Sequence, residues 1–261
     1  MNILDEIVRW KAVENYERRR SRPMKVLEST AMFGQKCLSL HQKMVTGNTP
    51  GLIAEFKRRS PSKGLINGTA DPVAVTKGYA DAGVLAVSVL TDEKYFGGSL
   101  SDLEAVRKQL AIPVLRKDFI IDEYQVLEAK ASGADIILLI AAALGRYELT
   151  HLASLAVSLG MEVLFEIHEE EELEKLNPDI TFVGVNNRSL RTFEVNIQNS
   201  LDLANKIPAD FLKISESGLS SAKEIKSLFS SGYKGFLLGE AFMHTTDPAL
   251  ACKKMINELT S

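Results

Sequence analysis

Short apolar runs rich in Val, Ile and Leu recur along the chain beyond residue 47, separated by stretches of helical periodicity. Eight runs fit this pattern: GLIAEF (51–56), VLAVSVL (84–90), IPVLRKD (112–118), DIILLIA (135–141), MEVLFEI (161–167), TFVGVNN (181–187), FLKISES (211–217) and GFLLGE (235–240). Near-continuous apolar runs of this length predict strands buried on both faces, the habit of a parallel sheet with helical crossovers. Helix starts are signalled by Asp71-Pro72, by Ser99 with Asp102, by Asp122-Glu123, and by Ser220 with Glu224. Gly83, Gly133, Gly160 and Gly232 stand where a left-handed residue commonly stops a helix before the next strand.

Eight βα units predict an α/β fold, a closed (β/α)8 TIM barrel with an N-terminal helical extension. The competing doubly wound open sheet would normally show fewer strands and a GxGxxG first turn, which the sequence lacks. Residues 1–261 read as one domain, with residues 1–47 a helical extension capping one end of the barrel. In that extension Ile3, Leu4, Ile7, Val8 and Trp10 are assigned to one face of a helix. The basic run of Arg18, Arg19, Arg20 and Arg22 reads as a solvated helix end, with a ligand lid or nucleic-acid arm as the alternative.

Composition narrows the function classes. The chain has 261 residues, 45% of them hydrophobic, enough for a large core. With 31 basic and 34 acidic residues the net charge is -3, so no broad positive field is available for nucleic acid or an anionic membrane surface. Cys37 and Cys252 have neither CxxC spacing nor a nearby histidine run, which argues against a disulfide framework or a zinc site. The first ten residues, MNILDEIVRW, lack the basic start of a signal peptide, and the apolar run 136–144 is too short to span a bilayer. The expectation is a soluble cytoplasmic protein without metal.

In a barrel of this kind chemistry sits at the carboxyl ends of the strands. Strand one ends in Glu55 and Lys57, strand three in Lys117 and Asp118, strand five in Glu166, strand six in Asn186, Asn187 and Arg188, and strand seven in Glu216. Alternation puts Glu55 and Lys57 on one side and turns Lys117 and Asp118 to opposite sides. Any one of these charges alone could simply pair on the rim. Convergence of strands one, three, five and seven on a common axis points instead to an active site with Lys117 and Glu166 at its centre. The turns Ser215-Glu216-Ser217-Gly218 and Leu238-Gly239-Glu240-Ala241 place glycines where backbone N–H groups can hold a phosphate, with Ser217 and Lys57 as further donors. Glu240 is an awkward neighbour for a dianion and should offer its N–H while its carboxylate turns away. Phe96, Gly97 and Gly98 after strand two, and Phe119 after Lys117, suit an aromatic or hydrophobic ligand portion as well as ordinary packing. The four histidines show no metal-ligand spacing.

The segments IAEFKRRSPSKG, LTDEKYFGGSL, LRKDFIIDEYQ, GVNNRSL, SESG and LLGE occur in an order and spacing that resemble the indole-3-glycerol-phosphate synthase family. The resemblance spans essentially the whole chain. It implies ring closure, decarboxylation and dehydration of 1-(2-carboxyphenylamino)-1-deoxyribulose 5-phosphate, a step of tryptophan biosynthesis, with no organic cofactor or metal. It further implies Lys117 as general acid and Glu166 as general base, with Glu55 and Asn186 orienting them and Lys57 balancing the substrate's charge. Ser60, Arg188 and Glu216 would contact the substrate, Ser217, Gly218, Gly239 and Glu240 its phosphate, and Phe96, Phe119, Leu138 and Leu190 its aromatic ring. The expected partner is this small phosphorylated molecule; the sequence identifies no partner enzyme of the same pathway. The alternatives are another phosphosugar lyase or isomerase on the same fold, and a non-catalytic barrel that only binds a phosphorylated ligand.

Overall fold

The computed structural model describes residues 3–189 and 192–261. Its eight parallel strands, β1 (Gly51–Phe56), β2 (Ala86–Leu90), β3 (Val114–Lys117), β4 (Ile136–Ile140), β5 (Glu162–Ile167), β6 (Phe182–Asn186), β7 (Leu212–Glu216) and β8 (Tyr233–Leu238), pair in sequence order. The sheet closes through β1 and β8, with Ile53 opposite Leu237. Seven strands fall inside their apolar runs, and β8 begins two residues earlier, at Tyr233, than the run 235–240. Gly83, Gly133, Gly160 and Gly232 take φ values of 98°, 87°, 78° and 93°, the left-handed exits expected of them.

Alternation along the odd strands explains how the barrel is filled. Ile53, Leu115, Leu164 and Ile214 form part of one apolar cluster and are no more than 1% exposed. Two residues further along the same strands stand Glu55, Lys117, Glu166 and Glu216, on the same inward face. Branched side chains therefore plug the barrel and a charged layer lies directly above the plug, at the carboxyl end.

Most crossover segments are α-helices, α4 (Pro72–Ala82), α5 (Leu100–Gln109), α6 (Glu123–Ala131), α7 (Arg146–Ser158), α8 (Gln198–Leu203) and α9 (Ala222–Ser230), and the short α10 (Glu240–Met243) and α11 (Pro248–Thr260) follow the last strand. Asp71, Ser99 and Asp122 cap three of them through side-chain oxygens. For α9 the cap is Ser221 rather than Ser220; Glu224 closes the box onto Ser221 and also accepts from the Ser220 N–H and hydroxyl. Between β5 and β6 the crossover is a 3₁₀ segment, Glu170–Lys175. Pro178, three residues beyond its end, limits any longer helix.

The extension is three helices, α1 (Ile3–Ser21), α2 (Met24–Glu28) and α3 (Leu40–Thr46). It runs from one end of the barrel to the other instead of capping a single end. At the carboxyl mouth α1 buries Leu4, Ile7, Lys11 and Asn15. Trp10, expected on that face, is 39% exposed, because spacing of three and four residues continues the buried stripe to Lys11. Alongside α6, Leu27 of α2 clusters with Tyr124, Leu127 and Ala131. At the base, Glu162 at the start of β5 accepts hydrogen bonds from the Ser39 hydroxyl and the Leu40 N–H, seating α3 across the amino ends of the strands. The arginine run is a docking strip: Arg18 pairs with Glu14 and Glu128, and Arg19 with Asp122 at 2.6 Å.

Candidate active site

A cavity of about 570 Å³ opens at the carboxyl mouth. It is lined by Glu55, Lys57, Ser60, Phe96, Lys117, Phe119, Leu138, Glu166, Asn186, Arg188, Glu216, Ser217, Gly218, Gly239 and Glu240. Every described residue proposed from the sequence for catalysis or binding is thus brought to one place; Leu190 lies outside the described residues.

Lys117 is the hub. Its ammonium donates to Glu166 Oε2 at 2.7 Å and lies 3.4 Å from Glu216 Oε2. Burial alone would lower the lysine pKa, but Glu166, Glu216 and Glu55 outweigh it and hold Lys117 protonated far beyond neutral pH. Burial would likewise raise Glu166, and here Lys117 and His168 overcome it, keeping that carboxyl below its ordinary value. Asn186 donates to Glu166 Oε1 at 3.1 Å and fixes its second oxygen. At Glu216 burial wins: Lys117 opposes it, but Glu166 and Glu55 reinforce it, and the carboxyl is pushed up to about 8. On the other flank Lys57 donates to Glu55 Oε1 at 2.7 Å, as their shared face requires. Asp118 turns the opposite way, into a buried cluster with Lys11 and Arg116.

A cradle of two glycine turns follows β7 and β8. Ser217 and Gly218 adopt consecutive positive φ values of 65° and 75°, a curl that turns successive N–H groups toward one side. Asn187 braces it by donating to the Ser217 carbonyl at 3.1 Å and the Ser215 hydroxyl at 3.0 Å. Across the cradle, Gly239 opens α10. The Glu240 carboxylate accepts from Arg188 at 3.0 Å and lies 3.7 Å from the Lys63 ammonium.

Phe96 and Phe119 face each other with ring centroids 5.9 Å apart, forming one apolar wall with Leu138. Further apolar lining comes from Ile3, Leu4 and Ile7 of α1 and from Phe193 and Val195 beyond β6. Sequence reading missed these. Ile3, Leu4 and Ile7 were legible only as an amphipathic stripe, and nothing local says which end of the barrel the stripe covers. Cys37 and Cys252 are free thiols, and no helix among the described residues is long and apolar enough to cross a membrane.

A closed barrel with a buried lysine–carboxylate layer at its mouth, beside a curled glycine loop and an aromatic wall, defines a (β/α)8-barrel enzyme of the class that works on small ligands in its βα loops. The sequence-family profile described as indole-3-glycerol phosphate synthase matches residues 4–255. The chain belongs to that family. It is 49% identical over 207 residues to an indole-3-glycerol phosphate synthase from Bacteroides thetaiotaomicron, covering 79% of this chain and 80% of that one. With the protein of the same name from a Polaromonas species it shares 42% over 259 residues, 97% and 98% of the two chains. Among solved structures, 3-hexulose-6-phosphate synthase from Salmonella typhimurium superposes with a TM-score of 0.65 at 15% identity, over 80% of this chain and 98% of that one. Tryptophan synthase subunit alpha from Legionella pneumophila gives 0.61 at 14% identity, over 84% and 95%. These two likenesses concern the fold alone.

Proposed function

We propose that this enzyme converts 1-(2-carboxyphenylamino)-1-deoxyribulose 5-phosphate to indole-3-glycerol phosphate, releasing carbon dioxide and water, with Lys117 as general acid and Glu166 as general base. The observation that supports these roles most directly is the 2.7 Å contact between the two side chains at the mouth of the barrel, in a chain matched by the family profile almost end to end. A lysine held protonated by three carboxylates gives up its proton only to an oxygen that becomes strongly basic. The substrate's carbonyl oxygen becomes such a group as the ring closes on its carbon. Binding then exchanges Glu166 for that oxygen at the ammonium, and the released carboxylate is free to take the proton lost on dehydration. Asn186 keeps Glu166 aimed meanwhile.

The phosphate belongs in the Ser217–Gly218 and Gly239–Glu240 turns, and the aromatic carboxylate toward Lys57, with Phe96, Phe119 and Leu138 against the ring. Ser60 lies in the loop after β1, where Lys63 donates its N–H to the Ser60 hydroxyl. Glu55 holds Lys57, and Glu216 and Arg188 complete the polar wall. The partner in this reading is that small phosphorylated molecule, and the two free thiols fit a cytoplasmic setting.

Adding the carboxyphenylamino-deoxyribulose phosphate should produce indole fluorescence; folded protein that gives none overturns the proposal. A Schiff-base lyase on the same barrel would need an unprotonated lysine, opposite to the state its carboxylates impose on Lys117. Borohydride added during turnover should therefore leave no covalent adduct on the protein.

A further inference from the structure

Within the charged layer, Glu216 is held differently from its neighbours. Glu55 accepts from Lys57, and Glu166 accepts from Lys117 and Asn186, but neither oxygen of Glu216 has a hydrogen-bond partner. What surrounds the carboxyl is shape. A methyl group on Gly184 would overlap Glu216 Oε1 outright and would lie 3.3 Å from its Cδ and 3.0 Å from Leu164 Cδ1. The Glu216 carboxyl thus lies where residue 184 would carry its Cβ. Gly184 sits inside β6, in register with Glu166 on one side and Ile214 on the other. It is not among the residues with positive φ, so the backbone makes no demand for glycine there. Glycine inside a strand weakens it and often marks the close approach of another group. Here that group is a side chain two residues beyond Ile214 on the neighbouring strand. The same device recurs across the mouth, where a methyl on Gly239 would lie 2.7 Å from Glu55 Oε1 and 2.9 Å from Glu55 Cβ.

We propose that Gly184 is a positioning residue of the active site: its missing side chain is the slot into which the Glu216 carboxyl folds, and the slot keeps that carboxyl 3.4 Å from the Lys117 ammonium. The inference rests on the reading of Lys117 as the acid. A side chain at 184 drives Glu216 out of the slot toward the space the substrate needs, and takes its carboxyl away from the Lys117 ammonium, which is left to Glu166. The slot buries Glu216, and burial dominates that carboxyl's protonation.

The test is a double-substitution cycle on the full-length enzyme, read both as kcat/KM with the carboxyphenylamino-deoxyribulose phosphate and as thermal midpoint. Gly184→Ala in the parent should lower kcat/KM at least tenfold and lower the midpoint. In the Glu216→Ala background, where the slot is empty, the same substitution should change kcat/KM less than twofold and leave the midpoint equal or higher. Equal losses in both backgrounds overturn the proposal, as does a Gly184→Ala enzyme with unchanged kcat/KM. If Gly184→Ala alone fails to fold, folding of the double variant supports the slot, and its failure overturns it. A parent that forms no indole-3-glycerol phosphate overturns the function proposed above and with it the positioning role, while the midpoint cycle still reports whether Glu216 fills the slot.

Discussion

The Lys11 ammonium of α1 lies 2.9 Å from Asp118 Oδ1, the carboxylate next in sequence to Lys117 at the end of β3, and both side chains are fully buried. It lies 2.9 Å from Asp92 Oδ2 as well. The other oxygens of these two aspartates are also occupied: Asp92 Oδ1 accepts the N–H groups of Tyr95 and Phe96, and Asp118 Oδ2 accepts from Thr91 and Arg116. Removing the cation would leave two carboxylates buried against each other. Lys11→Met is expected to destabilise the protein by about 3–5 kcal/mol, the usual cost of breaking a buried pair from one side. Urea unfolding of the variant and parent measures this directly; a loss under about 1 kcal/mol would show the pair to be a minor contributor.

The same cluster sets the response to acid. Burial acts to raise Asp118, but Lys11 and Arg116 overcome it and hold the carboxyl far below its ordinary value. A depressed carboxyl contributes stability that is present above its unfolded pKa and is lost as pH falls through the folded one. Unfolding free energy should therefore drop as pH is lowered below about 4. An Asp118→Asn enzyme, already weakened, should show a flatter decline over the same range.

Glu216 has the opposite sign. Its carboxyl is raised from 4.5 to about 8 by burial, so the folded chain holds a proton there that the unfolded chain has released. Stability from this group is complete below pH 4.5 and is lost as pH rises toward 8. Glu216→Gln mimics the protonated form and removes the titration. The stability advantage of the variant over the parent should grow by about 1–3 kcal/mol between pH 6 and 9. A constant difference across that range would place the group's titration elsewhere.

Lys117→Ala and Glu166→Gln should each lower turnover by about a hundredfold or more, with KM changed far less, because proton transfer acts on transition states rather than on the bound ground state. Steady-state kinetics decide it. Unchanged kcat with a large rise in KM would reassign both groups to binding.

Glu240 lines the cavity beside the turn proposed for the phosphate, with its carboxylate engaged by Arg188. Replacing it with serine removes a like charge from the phosphate's neighbourhood and frees the guanidinium. Glu240→Ser is expected to lower KM by about threefold to tenfold, roughly 0.7–1.4 kcal/mol, with kcat little affected. A higher KM would mean that Glu240 is needed to aim Arg188.

Much of the charged layer at the barrel mouth is legible in the sequence. Strand period two settles that Glu55 shares a side with Lys57 and that Lys117 and Asp118 part company, because a pleated backbone leaves no other choice. Eight apolar runs and the left-handed glycines before several of them determine barrel closure, and closure alone brings odd-numbered strand ends to one axis. Lys11 was illegible for the opposite reason. A lysine on an amphipathic helix ordinarily faces water, and only contact with Asp92 and Asp118, about 80 and 107 residues away, makes its burial favourable. Arg18 also reaches Glu128, 110 residues away, so one member of a basic run whose Arg19 and Arg20 stay exposed is tied to the barrel by a contact no local pattern shows.

The sequence by itself determined the period-two alternation, the helix caps and the residue types at the strand ends, since each depends on neighbours within a few positions. Tertiary structure alone decided that the extension spans both ends of the barrel, that Glu240 is engaged by Arg188, and that Glu216 leans into the space left by Gly184. Those relations depend on side-chain volume and charge meeting across strands and helices distant in the chain, and no local period encodes them.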